Sequence, residues 1–127
     1  MRGIRIFNAL AGVTTLAVFL QAISAGIFMS FRGSDAGEPW VTTHDIVANV
    51  AVVLALATAS VAIVTVRRAA PALTGAAVLL VVLLVLQTLI GHWIDSAHWL
   101  VAIHVPLALL VFAVTIWLSA RGLDAGA

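Results

Sequence analysis

The sequence predicts an all-α fold, an integral membrane four-helix bundle of up-and-down topology, and three observations predict it. Hydrophobic residues make up 64% of the 127-residue chain against 9% charged, and the mean hydropathy is +1.23. A soluble domain of this size has too little interior to hide that much apolar surface. Four apolar stretches, 6–31, 41–66, 73–94 and 99–120, each reach the length of ~20 residues that an α-helix needs to cross the hydrocarbon of a bilayer. The joints between them hold the helix breakers and most of the charge: Arg32, Gly33, Ser34, Asp35, Gly37, Glu38 and Pro39, then Arg67, Arg68 and Pro71, then Asp95 and Ser96. Little remains outside the spans, so residues 1–127 form a single four-helix transmembrane domain.

The first stretch follows Arg2 and Arg5, and a basic start before an apolar run is shared by transmembrane helices and signal peptides. The small residues of Gln21-Ala22-Ile23-Ser24-Ala25 keep the second reading open. The apolar run continues through Gly26, Ile27, Phe28 and Met29, which favours a retained helix. The second stretch opens at Trp40, carries His44, and ends at Arg67 and Arg68. The third begins behind Pro71 and ends at Trp93, and the fourth begins at Trp99, carries His104 and Pro106, and ends at Arg121. Pro106 removes the hydrogen bond to the carbonyl of Ala102 and can kink this helix beside His104.

Four crossings put Arg2, Arg5, Arg67, Arg68 and Arg121 on one side and Arg32 alone on the other. By the positive-inside rule both termini are cytoplasmic and the protein is a multi-pass component of the cell membrane. Trp40, Trp93 and Trp99 fall at the opposite, outer surface, where an aromatic belt belongs, while Trp117 lies near the inner one. The net charge of +1 is a topology signal and no nucleic-acid patch; Arg67 and Arg68 serve orientation and contact with anionic membrane lipids. The chain has no cysteine, which excludes disulfides, thiolate metal sites and covalent heme attachment.

The chain also repeats itself. Leu20-Gln21 precedes Gly26 in the first helix and Leu86-Gln87 precedes Gly91 in the third; the helices that follow carry His44 with Ala48 and His104 with Ala108. Each half thus reads Leu-Gln, a glycine four or five residues on, a loop, then His-x-x-x-Ala. Helices one and three run in the same direction, so the halves are parallel repeats about an axis along the membrane normal. His44 lies four residues past Trp40 and His104 five past Trp99. At 1.5 Å per residue both sit roughly 6 to 8 Å below the outer belt. The second and fourth helices of such a bundle are diagonal, so the two imidazoles face each other across its centre.

Ionisable side chains within a membrane are costly and point to function, although a neutral histidine can also simply bond a neighbouring helix. Two at one depth, in matching repeat positions, suit a shared ligand. Heme b accepts an imidazole on each face of its iron, and its flat apolar ring occupies the space between four helices. Ala48, Ala51 and Ala55 continue the His44 face, Ala108 lies one turn from His104, and Gly26 and Gly91 thin the flanking helices.

Leu-Gln-x-x-x-Gly on one helix with His-x-x-x-Ala opening the next resembles one four-helix half of the heme A synthase family, and small bacterial four-helix membrane proteins of the same plan. In that family each unit coordinates a heme near the outer surface through histidines of its second and fourth helices, which the resemblance places at His44 and His104. The departures are a single four-helix unit, no loop cysteines, and an acidic residue, Glu38, six positions before the first histidine. Heme binding carries over better than heme A synthesis.

His92, Asp95 and His98 crowd the last loop and could hold a second metal ion, act as a redox-linked proton site, bond a heme propionate, or stand as ordinary interfacial residues. Arg32, alone at the outer surface, is the natural partner for a propionate. Gln21 and Gln87 lie mid-helix, where an amide needs a partner: each other, Asn49, or the edge of a bound ring or quinone headgroup. Three functions follow: a b-type cytochrome passing electrons near the outer face to a quinone or redox partner, a binding or carrier protein for heme or another flat lipophile, and a structural subunit of a homo-oligomer or larger membrane complex. Hydrolysis is not indicated, because no serine, carboxylate and histidine set stands at catalytic spacing.

Overall fold

A computed structural model describes residues 2–31 and 34–126, and the described chain is all-helical. Four long helices run α1 Arg2–Ser30, α2 Glu38–Val61, α3 Pro71–Trp93 and α4 Val101–Gly126. The predicted spans are all present. The helices overrun them mainly at the arginine-bearing end, where α1 begins at Arg2 and α4 continues to Gly126, because nothing there breaks a helix. Each is long and apolar enough to cross a membrane, which makes this a multi-pass membrane protein of four helices.

The joints follow local chemistry. Pro39 lies in the first turn of α2 and Pro71 in the first turn of α3, where a missing N–H costs no hydrogen bond. Short 3₁₀ turns at Asp35–Gly37 and His98–Leu100 lead into α2 and α4. At its far end α2 widens into a π-helical turn, Ala62–Val66, in which the Arg67 amide reaches back five residues to the Ala62 carbonyl at 2.9 Å. The Thr74 hydroxyl donates to that same carbonyl at 3.3 Å and ties α3 to the turn. Gly3 of α1 lies against Thr65 here so closely that a Cβ at position 3 would stand 2.6 Å from the Cβ of Thr65.

Every helix packs on two neighbours, α1 on α2 and α4, and α3 on α2 and α4, while the diagonal pairs make no close backbone approach among the described residues. The bundle is therefore a ring of four helices about a central axis. Its core at the arginine end is closed by Phe7, Ala11, Ala55, Ala62, Ala77, Leu80, Val111 and Leu118, all nearly inaccessible. Buried hydroxyls within it are bonded: Thr14 donates to the Leu10 carbonyl at 2.7 Å, Thr58 to Leu54 at 2.8 Å, and Thr115 to Phe112 at 2.8 Å. Large apolar side chains cover the outside instead, including Leu16, Val64, Leu109 and Leu123, as expected where lipid is the solvent.

The two halves also repeat in their burial. With an offset of 66, the buried positions Phe7, Ala11, Thr14, Ala17 and Val18 of α1 match Leu73, Ala77, Leu80, Leu83 and Leu84 of α3, all buried. With an offset of 60, residues 41–50 of α2 and 101–110 of α4 have the same burial, position by position. This register corrects one equivalence. The counterpart of Gly91 is Ala25, and Gly26 falls one residue off the inner face, exposed, with open space where its Cβ would be. Gly26 therefore does not line the interior.

Candidate histidine site between the helices

Toward the end of the bundle opposite the arginines, the inward positions cease to be closed. Val47 and Ala48 of α2, Leu107 and Ala108 of α4, Gln21 and Ala25 of α1, and Gln87 and Gly91 of α3 are only half-buried, although they continue the stripes that are inaccessible further along. His44 and His104 project into this part of the bundle, half-buried, within electrostatic reach of one another.

The two imidazoles are held differently. His44 Nδ1 lies 3.0 Å from the backbone carbonyl of Gln21, an atom that can only accept, so the ring proton is on Nδ1 and donated to it. Ser24 Oγ, which donates to the same carbonyl at 3.0 Å, stands 3.2 Å from Nδ1 and completes the clamp. Phe28 meets the ring edge-on, centroids 5.5 Å apart. Among the described residues no donor hydrogen-bonds Nε2 of His44. An anchoring carbonyl for the remote nitrogen is how proteins orient ligating histidines.

His104 also keeps its proton on Nδ1, by a different route. The Gln87 side-chain nitrogen sits 3.0 Å from the His104 carbonyl oxygen and 3.1 Å from His104 Nε2. The first contact fixes the amide with its NH2 group toward His104, so Nε2 must accept. Nδ1 then carries the hydrogen; it is enclosed, with the Gln87 backbone by the ring. The Oε1 atoms of Gln87 and Gln21 are enclosed and have no partner among the described residues. Gly91 explains how the ring fits against α3: a Cβ there would lie 3.2 Å from His104 Cε1.

The fold brings His44, His104, Gln21, Gln87, Ala48, Ala108 and Gly91 to the same part of the bundle interior, while Gly26 faces outward. The glutamines do not pair with each other or with Asn49: Gln87 binds His104, and Asn49 is exposed and donates to the Asp45 carbonyl at 2.8 Å on its own helix. Pro106 faces outward and α4 continues through it. Arg32 lies outside the described residues. His92, Asp95 and His98 are all exposed, and His92 Nδ1 turns back to the Thr88 carbonyl at 2.8 Å. No group of three or more metal-ligating side chains forms among the described residues, so these three do not make a preassembled metal site. Ser24 and Phe28 were not anticipated. Their signal was present, since both lie on the helical face of Gln21, three and seven residues on.

Two imidazoles with the ring hydrogen on Nδ1, set among enclosed polar atoms, have Nε2 electron pairs of the kind that bind metal ions. No protein-family model, no curated protein and no solved structure matches this chain.

Proposed function

We propose that this is a b-type heme-binding membrane protein that passes single electrons near one face of the bilayer, with His44 and His104 as the residues that hold the heme. The observation that carries this reading is the hydrogen bonding of the two rings: His44 Nδ1 lies 3.0 Å from the Gln21 carbonyl and His104 Nε2 lies 3.1 Å from the Gln87 amide nitrogen, so each ring carries its hydrogen on Nδ1 and has an electron pair on Nε2. Heme supplies a one-electron couple when bound. The chain's own residues supply the rest: Gln21 and Ser24 orient His44, Gly91 gives His104 room, and the apolar helices exclude water from the sides. Two histidines leave no open coordination position, which favours electron transfer over oxygen chemistry. The likeness of the Leu-Gln and His-x-x-x-Ala segments to half of a heme A synthase supports the same ligands, and a quinone or a redox protein is the expected partner.

A second reading, reversible heme binding or carriage, is favoured by one contact, the Gln87 amide on His104 Nε2. A structural subunit of a larger complex or homo-oligomer is the reading that remains if no heme binds. Expression with heme supply, purification in detergent and one visible spectrum separate these. A reducible, stoichiometric low-spin heme is expected, unchanged in His92→Ala and His98→Ala. Loss of heme in either variant as large as in His44→Ala would return the ligand assignment to the loop.

For orientation, we propose the cell membrane with both termini cytoplasmic, from the five arginines at one end of the bundle. Reporters fused at the C-terminus are expected to be active only in the cytoplasmic compartment. Activity on the far side contradicts the orientation.

A further inference from the structure

We infer that Gln87 is a latch on His104, which would make this histidine a conditional ligand to a bound metal while His44 would be the standing one. The inference rests on the heme-binding proposal for its consequence, and on the geometry of the heme-free chain for its cause.

The two halves place a glutamine at the same level, each with its backbone by the matching histidine, and their side chains differ. Gln21 serves through its backbone: its carbonyl holds His44 Nδ1 at 3.0 Å and leaves Nε2 uncovered. Gln87 serves through its side chain, whose nitrogen covers Nε2 of His104 at 3.1 Å and is steadied by a second bond to the His104 carbonyl at 3.0 Å. Nε2 is the atom that a metal would take. His104 can ligate only when this amide lets go.

The exchange needs no proton transfer. The ring hydrogen already resides on Nδ1, so the Nε2 pair passes from an N–H donor to a metal with the imidazole neutral throughout. The Gln87 backbone carbonyl stands by the His104 ring, as the Gln21 carbonyl does by His44. Once the Gln87 amide releases Nε2, that carbonyl is the acceptor on hand for Nδ1. The side chain of Gln87 thus blocks the ligand, and its backbone can orient it.

The expected behaviour is ordered binding: entry on His44 first, with His104 in competition between Gln87 and the metal. Breaking one neutral hydrogen bond shifts such a competition by about tenfold. Gln87→Leu removes the latch and keeps the side-chain volume roughly constant. Gln21→Leu is the matched control, because it alters the repeat-equivalent side chain and preserves the backbone carbonyl that holds His44.

The test has two arms on the full chain in detergent. In the heme-free protein, labelled-histidine nitrogen NMR is expected to show the His104 Nε2 resonance moving in Gln87→Leu and staying in Gln21→Leu, with His44 unmoved in both. On titration with hemin, Gln87→Leu is expected to reach the six-coordinate low-spin form at about one-tenth of the free hemin concentration the wild type needs. An unmoved His104 resonance, or Gln87→Leu needing as much hemin as wild type or more, overturns the latch. If the resonance moves and neither protein binds hemin, the hydrogen bond is upheld, the ordered ligation is overturned, and the heme proposal fails with it. Circular dichroism on both variants identifies a loss of fold directly.

Discussion

Replacing His44 and His104 together with alanine is expected to abolish heme binding and leave a monodisperse four-helix bundle. The bundle survives because its closed core lies toward the other end, around Phe7, Leu80, Val111 and Leu118, and neither imidazole contributes to it. Its backbone bonding is internal to each helix and independent of any ligand. The single variants differ. His44→Ala removes the ring whose Nε2 is free and whose Nδ1 is clamped by Gln21 and Ser24, so it forfeits the standing ligand. Affinity falls by about 100-fold or more, since changes behind a ligating histidine alone cost roughly 10–100-fold. His104→Ala leaves His44 in place and yields a five-coordinate, high-spin heme with a smaller loss. Heme occupancy and spin state across the two single variants and the double measure this. Equal, stoichiometric low-spin binding in the double variant would return both histidines to helix-packing roles.

How far the sequence could anticipate this site depends on which physical signal each residue leaves. Span lengths and the positions of proline and charge are set by the bilayer and by backbone chemistry, and the four helices lie where those signals put them. The histidine pair was legible from depth alone, because rise per residue from the flanking tryptophans needs no tertiary knowledge. Helix rotation was less legible. The helices are apolar on every side, so the pattern that distinguishes an inward from an outward face in water is nearly absent, and a one-residue slip in aligning the repeats put Gly26 inside where Ala25 belongs. The glutamines show a different limit. Their depth demanded a partner, but whether backbone or side chain does the bonding depends on angstrom-scale placement of neighbouring helices. His92, Asp95 and His98 are near in sequence, yet chain proximity does not converge side chains that a helix end and a turn direct apart.

The largest expected effect on stability lies at the other end of the bundle, in Gly122. A Cβ at this position of α4 would lie 3.0 Å from Cε1 of Phe7, the largest of the fully buried side chains, and would also meet the Asn8 amide. Small residues let membrane helices approach until van der Waals contact is dense, and that contact replaces the hydrophobic drive that lipid does not provide. Leucine at 122 forces α4 away from α1 or the Phe7 ring out of its site. Either way, overpacking costs about 1–3 kcal/mol or more, and the thermal midpoint in detergent falls. Phe7→Ala alone is destabilising for the opposite reason, a cavity where the ring stood. Because the two changes err in opposite directions in one space, they should not add. The double variant Phe7→Ala/Gly122→Leu is expected to be more stable than Gly122→Leu, with a favourable coupling of about 1 kcal/mol or more in a double-mutant cycle. The Asn8 amide, the end of a flexible side chain, can swing aside. Strict additivity of the two losses would mean that α1 and α4 are not in contact at Phe7 and Gly122, and that the ring of four helices is not closed at this end.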